Sequence, residues 1–383
     1  MTITAGVSIL AAPAIVSGYA PAIVITPGAQ LVADGTSDNP ITFSSVTADN
    51  SSPTRGLWGG LIIMGNAPVY GGSQQVEGVA GLTYGGAVTD ESSGLLRFVR
   101  VWYGGAAVDA NNNINGITLA GVGSGTTVEN VEVAFNLDDG LQFFGGTVNV
   151  KYASVLFAID DGIDVSLGYQ GRIQFAYVMV GSEGDQGLSV DSNGDEAPRS
   201  FPRIYSVTIV DNVNAATGST LQFQNGAGGE FSNMIVTNVP VTAVELLNCG
   251  SETRSHVRQG FGSDYLWFSS NNIVFGAGGF DLYVADASCG GFTDAYDRDP
   301  VLNAMPVDAD PDSSGLDPRP NPSGPAFIDV DPTPPADAFF ESTSYKGAFG
   351  SSVWLAGWSW LSDKLTTGTG APVAAPGPTA API

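Results

Sequence analysis

The chain has 383 residues, 51 of them glycine, and is 43% hydrophobic but only 13% charged; 38 acidic against 13 basic residues give a formal charge of −25. Such a surface repels phosphate backbones and anionic headgroups, which argues against nucleic-acid and membrane-surface binding and leaves divalent cations as natural partners. The stretches between glycines are rich in Val, Ile, Phe and Thr, the composition of many short strands with little helix.

From the first residue the chain alternates as strands do, at Ile3, Val7 and Ile9, at Ile23 and Ile25, at Leu31 and Ala33, and at Ile41 and Phe43. Turn chemistry at Pro27-Gly28 and Asp38-Asn39-Pro40 separates these runs. No basic region precedes this start, and Pro13 and Pro21 interrupt it, so residues 1–25 read neither as a signal peptide nor as a membrane span. An export signal is expected to lie outside the given sequence, with Met1 an addition. A polar loop at residues 48–55 leads into a strong apolar strand near Leu61. Residues 70–93 form a Gly-rich excursion expected to lie over one face, and residues 95–103 resume the array.

Residues 128–191 repeat one pattern three times: a short apolar run, an acidic turn ending in Gly140, Gly162 or Gly187, and a second alternating run. Apolar pairs two residues apart form a ladder at Ile117/Leu119, Leu141/Phe143, Ile163/Val165, Leu188/Val190, Leu221/Phe223, Val244/Leu246 and Leu282/Val284, in steps of 24, 22, 25, 33, 23 and 38. The residues between them, Thr118, Gln142, Asp164, Ser189, Gln222, Glu245 and Tyr283, would face solvent. A second ladder is read at Val131/Val133, Ala153/Val155, Val178/Val180 and Val207/Ile209, then Ile235 and Ile273. Two ladders per unit of 22–25 residues predict an all-β parallel β-helix, each coil giving two or three strands to parallel sheets. A β-propeller needs blades of around 40 residues, longer than these steps.

The β-helix is expected over residues 1–290. Residues 291–361 read as an Asp/Pro-rich extended segment followed by an aromatic cap over an end of the core, with Trp354, Trp358 and Trp360 in it, and residues 362–383 as a flexible Ala/Pro/Gly tail. Cys249 and Cys289 flank an irregular insertion, and an even pair in an otherwise cysteine-free chain suits a disulfide in an oxidising compartment.

Three segments carry a resemblance: Trp-Gly-Gly-Leu-Ile-Ile-Met-Gly-Asn-Ala-Pro at residues 58–68, Asp-Asp-Gly-Leu-Gln-Phe-Phe-Gly-Gly-Thr-Val-Asn at 138–149, and Gly-Ala-Phe-Gly with Trp-Leu-Ala-Gly-Trp within 347–358. With these the chain resembles secreted or surface-anchored bacterial right-handed β-helix proteins over most of residues 1–361. The resemblance implies export, the β-helix and a C-terminal closing motif, and brings no catalytic residues with it.

The acidic turns are the candidate site. Stacking would place Asp138 over Asp160 over Asp185, with Asp139 and Asp161 beside them and Asp164, Glu183 and Asp191 near. Two carboxylates about 5 Å apart repel by about 3 kcal/mol at an effective dielectric near 20. A bound Ca²⁺, a shared proton or Arg172 would relieve the column; alternatively each aspartate caps its own turn and the glycine takes a positive φ. The function expected is an exported, non-enzymatic structural or adhesive protein, forming a homo-oligomer or head-to-tail filament and binding glycans. The alternative is a Ca²⁺-dependent polysaccharide lyase or glycoside hydrolase drawing on Arg199 and Arg203, which rests on analogy between folds. His256, between Arg254 and Arg258, has no catalytic constellation around it and reads as a surface-loop residue.

Overall fold

A computed structural model describes residues 1–365 apart from 14–19, 110–111, 195, 213–217, 250–265, 277–278, 290–301, 305–314 and 333–336. His256 and residues 366–383 of the expected tail lie outside the described residues. The chain coils into a parallel β-helix in which each turn contributes strands to three faces. One face is a continuous nine-stranded sheet of Ile23–Ile25, Leu61–Met64, Ile117–Ala120, Leu141–Phe144, Ile163–Ser166, Leu188–Asp191, Ser219–Gln224, Thr242–Leu247 and Asp281–Ala285. The other two faces are joined through long bent strands, Gly94–Trp102, Thr127–Ala134, Asn149–Leu156 and Arg172–Met179. These bend at Phe98, Asn130, Tyr152 and Phe175, which take φ of 49°, 52°, 57° and 61° and turn the chain from one face to the next without breaking the ladder. Among the described residues no helix is long and apolar enough to cross a membrane.

The nine-stranded ladder runs as its alternation predicts from Ile117/Leu119 through Val244/Leu246, with Thr118, Gln142, Asp164, Ser189, Gln222 and Glu245 in register on the outside, but Thr118, Gln142 and Ser189 are covered there and do not face solvent. At the last strand the register differs by one: Val244 pairs with Tyr283 and Glu245 with Val284, so Val284 is the exposed residue and Tyr283 packs against the core. The second ladder also needs correction. Val155 pairs with Val178 and Ala153 with Ala176, so Ala176/Val178 is the pair in register, with Val180 also packed in the core, and Ile209 pairs with Val236. Ile235 and Ile273 point outward, where Ala326 and Phe327 cover them.

That cover belongs to the C-terminal segment, whose position also departs from expectation. It lies along the flank of the coils and not over an end of the stack. The body offers aromatic side chains at its corners, and the segment interlocks with them: Trp358 meets Phe98 edge-on at 5.6 Å, Trp354 meets Tyr152 at 5.6 Å and Trp360 meets Phe135 at 4.8 Å. Further along, Phe349 packs on Tyr177 and Phe340 on Tyr205. Polar contacts fix the segment's path, from Asp331 on Ser232 and Asn271, through Asp337 on Arg172, to Glu341 on Lys151 and Gln174. The packed segment continues to Leu365, which is buried, so residues 362–365 belong to it and not to a tail. The Gly-rich excursion lies over the outside of the nine-stranded sheet, where Val69, Val76 and Tyr84 pack on Ile62, Met64 and Ala120.

Cys249 and Cys289 are disulfide-bonded, with Cα atoms 5.1 Å apart, tying the chain beyond Thr242–Leu247 to the chain beyond Asp281–Ala285. By chain entropy a bridge across this separation contributes roughly 3 to 4 kcal/mol.

Candidate metal centre

Each coil leaves the face that ends at Ala134, Leu156 or Met179 and enters the nine-stranded sheet through a turn, and the acidic residues occupy these turns. Hydrogen bonds from one coil to the next set the stacking: Gly140 N–H donates to Asp161 O at 2.9 Å and Gly162 N–H to Gln186 O at 2.8 Å. Asp139 therefore lies over Asp161 and Gln186, and Asp138 over Asp160 and Asp185.

The two columns do different work. Asp139 and Asp161 are buried, and each carboxylate accepts a hydrogen bond from the coil that follows: Asp139 Oδ1 from Asp161 N–H at 2.9 Å, Asp161 Oδ1 from Gln186 N–H at 3.0 Å. The aspartate thus caps its neighbour's turn and not its own. The glycines differ from expectation as well. Gly140, Gly162 and Gly187 are absent from the left-handed region; they are required because a Cβ would strike the opposite face, within 2.2 to 2.5 Å of Val155, Val178 and Ile209 side-chain carbons.

The outer column is more open, with Asp160 and Asp185 exposed. Carboxylate oxygens of Asp138, Asp139 and Asp160 lie within 4.8 Å of one another, and so do those of Asp160, Asp161 and Asp185, making two overlapping triples that share Asp160. All five residues are therefore brought together. Among the described residues none of the five is ion-paired. Burial, then the charges of Asp160 and Glu77, pushes the Asp138 carboxyl up to about 7. Asp139 and Asp161 are held well above the usual range by burial first and by Asp164 next. Burial raises Asp185 too, helped by Asp160. Backbone N–H groups donating to Asp139 and Asp161 and the Gln186 amide donating to Asp185 give part of the relief, and retained protons give the rest. The alternative is a hard cation: five carboxylates on adjacent turns form an all-oxygen donor set of the kind that Ca²⁺ takes.

Other residues expected nearby are spent elsewhere. Arg172 binds Asp337 and Asn149, Arg203 pairs with Glu230 at 3.4 Å, and Arg199 donates to Gly226 O. Glu183 faces Arg55 at 3.5 Å, and Arg55, which sequence reasoning did not single out, also donates to Phe157 O. Asp164 accepts from Gln142 Nε2 at 2.6 Å and is pushed up to about 6 by burial; Asp191 accepts from Asn225. Sequence reasoning also missed Glu77, carried by the Gly-rich excursion and raised by burial and by Asp160. Its loop has no periodicity, and an acidic letter was the only signal.

The outside of the nine-stranded sheet continues this chemistry, with Gln222 and Ser219 both donating to Glu245. A small polar pocket opens beside it, lined by Tyr70, Asp191, Ser192, Asn193, Gly194 and Asn225.

No curated protein and no solved structure matches the chain. A family model does, over residues 1–262, described as a pectate-lyase-like β-helix domain. The match spans well over half of the sequence and covers all but the last strands of the parallel stack just described; the chain belongs to the pectate-lyase-like β-helix family.

Proposed function

We propose that the protein is an exported bacterial β-helix with a structural or adhesive role, its acidic turns holding Ca²⁺ and its polar outer face meeting neutral glycans. The observation that carries this reading is the set of five aspartates with no ion pair among the described residues. Elimination from a uronate needs a base and a positive charge to stabilise the enolate that forms. Ca²⁺ in the turns would supply the charge, but Arg199 and Arg203, the basic residues expected beside it, bind Gly226 O and Glu230 instead. The disulfide accords with an oxidising, extracellular setting. Incubation with a panel of acidic and neutral polysaccharides in Ca²⁺ is expected to release no unsaturated or reducing ends; release that disappears in Asp160→Asn would overturn the reading.

One observation favours hydrolysis as a second reading. Asp138, protonated up to about pH 7, stands beside Asp160, the kind of carboxyl pair used in glycoside hydrolysis. The same panel separates the two.

Head-to-tail assembly belongs to the structural reading. Among the described residues, the strands Thr2–Ile3, Ser8–Ala11 and Ile23–Ile25 are each paired on one side, and Val7 and Leu10 beside them are exposed. The exposed Val7 and Leu10 give a second copy an apolar surface to meet, and a contact that does not close into a ring builds a filament. Negative-stain microscopy is expected to show end-to-end strings; compact single particles at every salt and Ca²⁺ concentration would count against assembly.

A further inference from the structure

Glu132 has no part in the acidic turns, yet it is fully buried on the outward side of its strand, sealed beneath the C-terminal segment. Its Oε1 accepts from the Trp102 indole at 3.0 Å and from Trp360 N–H at 2.8 Å, and its Oε2 accepts from the Ser359 hydroxyl. Ser359 Oγ in turn accepts from Leu361 N–H at 3.1 Å, so one carboxyl organises the backbone of residues 359–361. Two of its three donors thus come from a segment more than two hundred residues away. The Arg100 side chain sits on the preceding coil, in register with Glu132, and lies over the Trp102 ring at 4.4 Å. It donates to Trp358 O at 3.0 Å and to Thr42. Around this pair the segment closes with Trp358 on Phe98 and Trp360 on Phe135 and Phe157.

We propose that residues 353–361 form a pH-sensitive latch on the β-helix flank, with Glu132 as its catch: seated firmly in acid, loosening as the pH rises, and uncovering the Phe98 and Phe135 corners when it opens. The closed latch takes Glu132 out of water, and burial holds its carboxyl above the usual range despite the hydrogen bonds it accepts. In the open state the group faces solvent and returns to an ordinary value near about 4.3. Closing therefore takes up a proton between those two values, and the closed-to-open ratio falls by up to about tenfold per pH unit across that window. Other charged or titratable groups around the site are Arg100 and Tyr103 from the preceding coil, and Lys364, whose ammonium lies over the Trp360 ring at 4.6 Å. Arg100 draws Glu132 back toward its charged form, but its own donors are directed to Thr42 and Trp358 O. Tyr103 donates to Asn50, and its hydroxyl is raised by burial, so it stays neutral through the working range.

Hydrogen exchange followed by mass spectrometry on the full chain, in chelator from pH 4.5 to 8.5, tests the latch. The quantity is the protection factor of residues 355–361, with intrinsic exchange divided out, relative to that of Leu61–Met64 in the nine-stranded sheet, a buried strand without a titratable residue. The parent is expected to lose at least about tenfold in this ratio across the range, whereas Glu132→Gln, which keeps the shape without the titration, should be flat. Equal slopes in the two proteins, or a flat parent, overturn the proposal. Ser359→Ala provides the second variant should Glu132→Gln not fold: removing one donor from the latch lowers the protection ratio at every pH and leaves the slope in place. Unchanged protection in Ser359→Ala would equally count against Glu132 as the catch.

Discussion

In the presence of chelator the melting temperature is expected to fall by several degrees as the pH is raised from 5 to 8, and millimolar Ca²⁺ is expected to abolish that fall. The sign follows from the direction of the shifts. Asp138 titrates at about 7 in the folded protein and Asp164 at about 6, against an ordinary value near 3.9 when unfolded. Between those values the folded chain holds protons that the unfolded chain has released. The stability present in acid is therefore lost as the pH rises through 6 and 7. Over the two units from pH 5 to Asp138's value, one such group changes stability by up to about 3 kcal/mol, less whatever solvent screening removes at a partly exposed site. Asp139 and Asp161 shift the same way, and because the groups share neighbours their effects do not add. A cation bound only by the folded state contributes in the opposite direction, about 2.7 kcal/mol at a hundred times its dissociation constant. Asp138→Asn should flatten the pH dependence in chelator. Identical melting curves with chelator and with Ca²⁺ at pH 8 would rule out a cation among the turns.

Much of the fold was legible because one face of the coil obeys the simplest rule available to a strand. At Leu141-Gln142-Phe143 and Leu221-Gln222-Phe223 a single polar residue separates two core residues, and the step between copies gives the coil. The rule weakens where both sides of a strand are covered. Ile235 and Val236 are equally apolar because Ile235 packs under Ala326 and Phe327, and no letter in the sequence separates inside from cover. At Tyr283, on the last strand, partial burial on both sides leaves the register open by one residue. The bend at Asn130 is hidden for a different reason: residues 127–134 read as one strand, and only the backbone shows that a left-handed residue swings Glu129 and Val131 onto different faces. The aspartate columns were legible from spacing alone, as the steps from Asp138 to Asp160 to Asp185 match the ladder. Glu77 was not, since it arrives on a loop, and neither was the docking of Trp354, Trp358 and Trp360. Their burial could be read from composition, but the surface that buries them is set by contacts with coils hundreds of residues earlier.

Gly162→Ala is expected to cost about 3 kcal/mol, the upper part of the range for overpacking, although the backbone there suits any residue. A Cβ at Gly162 would lie 2.5 Å from Val178 Cγ1 and 2.7 Å from Gly187 O. The valine can yield only by leaving its place in the packed ladder between Val155 and Ile209. The carbonyl cannot yield without straining the turn that Gly162 N–H holds through Gln186 O. The same geometry recurs at Gly140, where a Cβ would meet Val155 Cγ1 at 2.2 Å, and at Gly116, where it would meet Val133 Cγ1 at 2.4 Å. Glycine is thus what allows the acidic turn to rest directly on the opposite face, and it is this close approach that buries Asp139 and Asp161. Val178→Ala in the same chain should recover part of the loss, because it removes one of the two clashing atoms and leaves Gly187 O in place, so the double variant is expected to be more stable than the sum of the single effects implies. Urea unfolding measures each cost. A Gly162→Ala protein with an unchanged midpoint would mean that the turn has room to move, and the burial that raises its aspartates would need another cause.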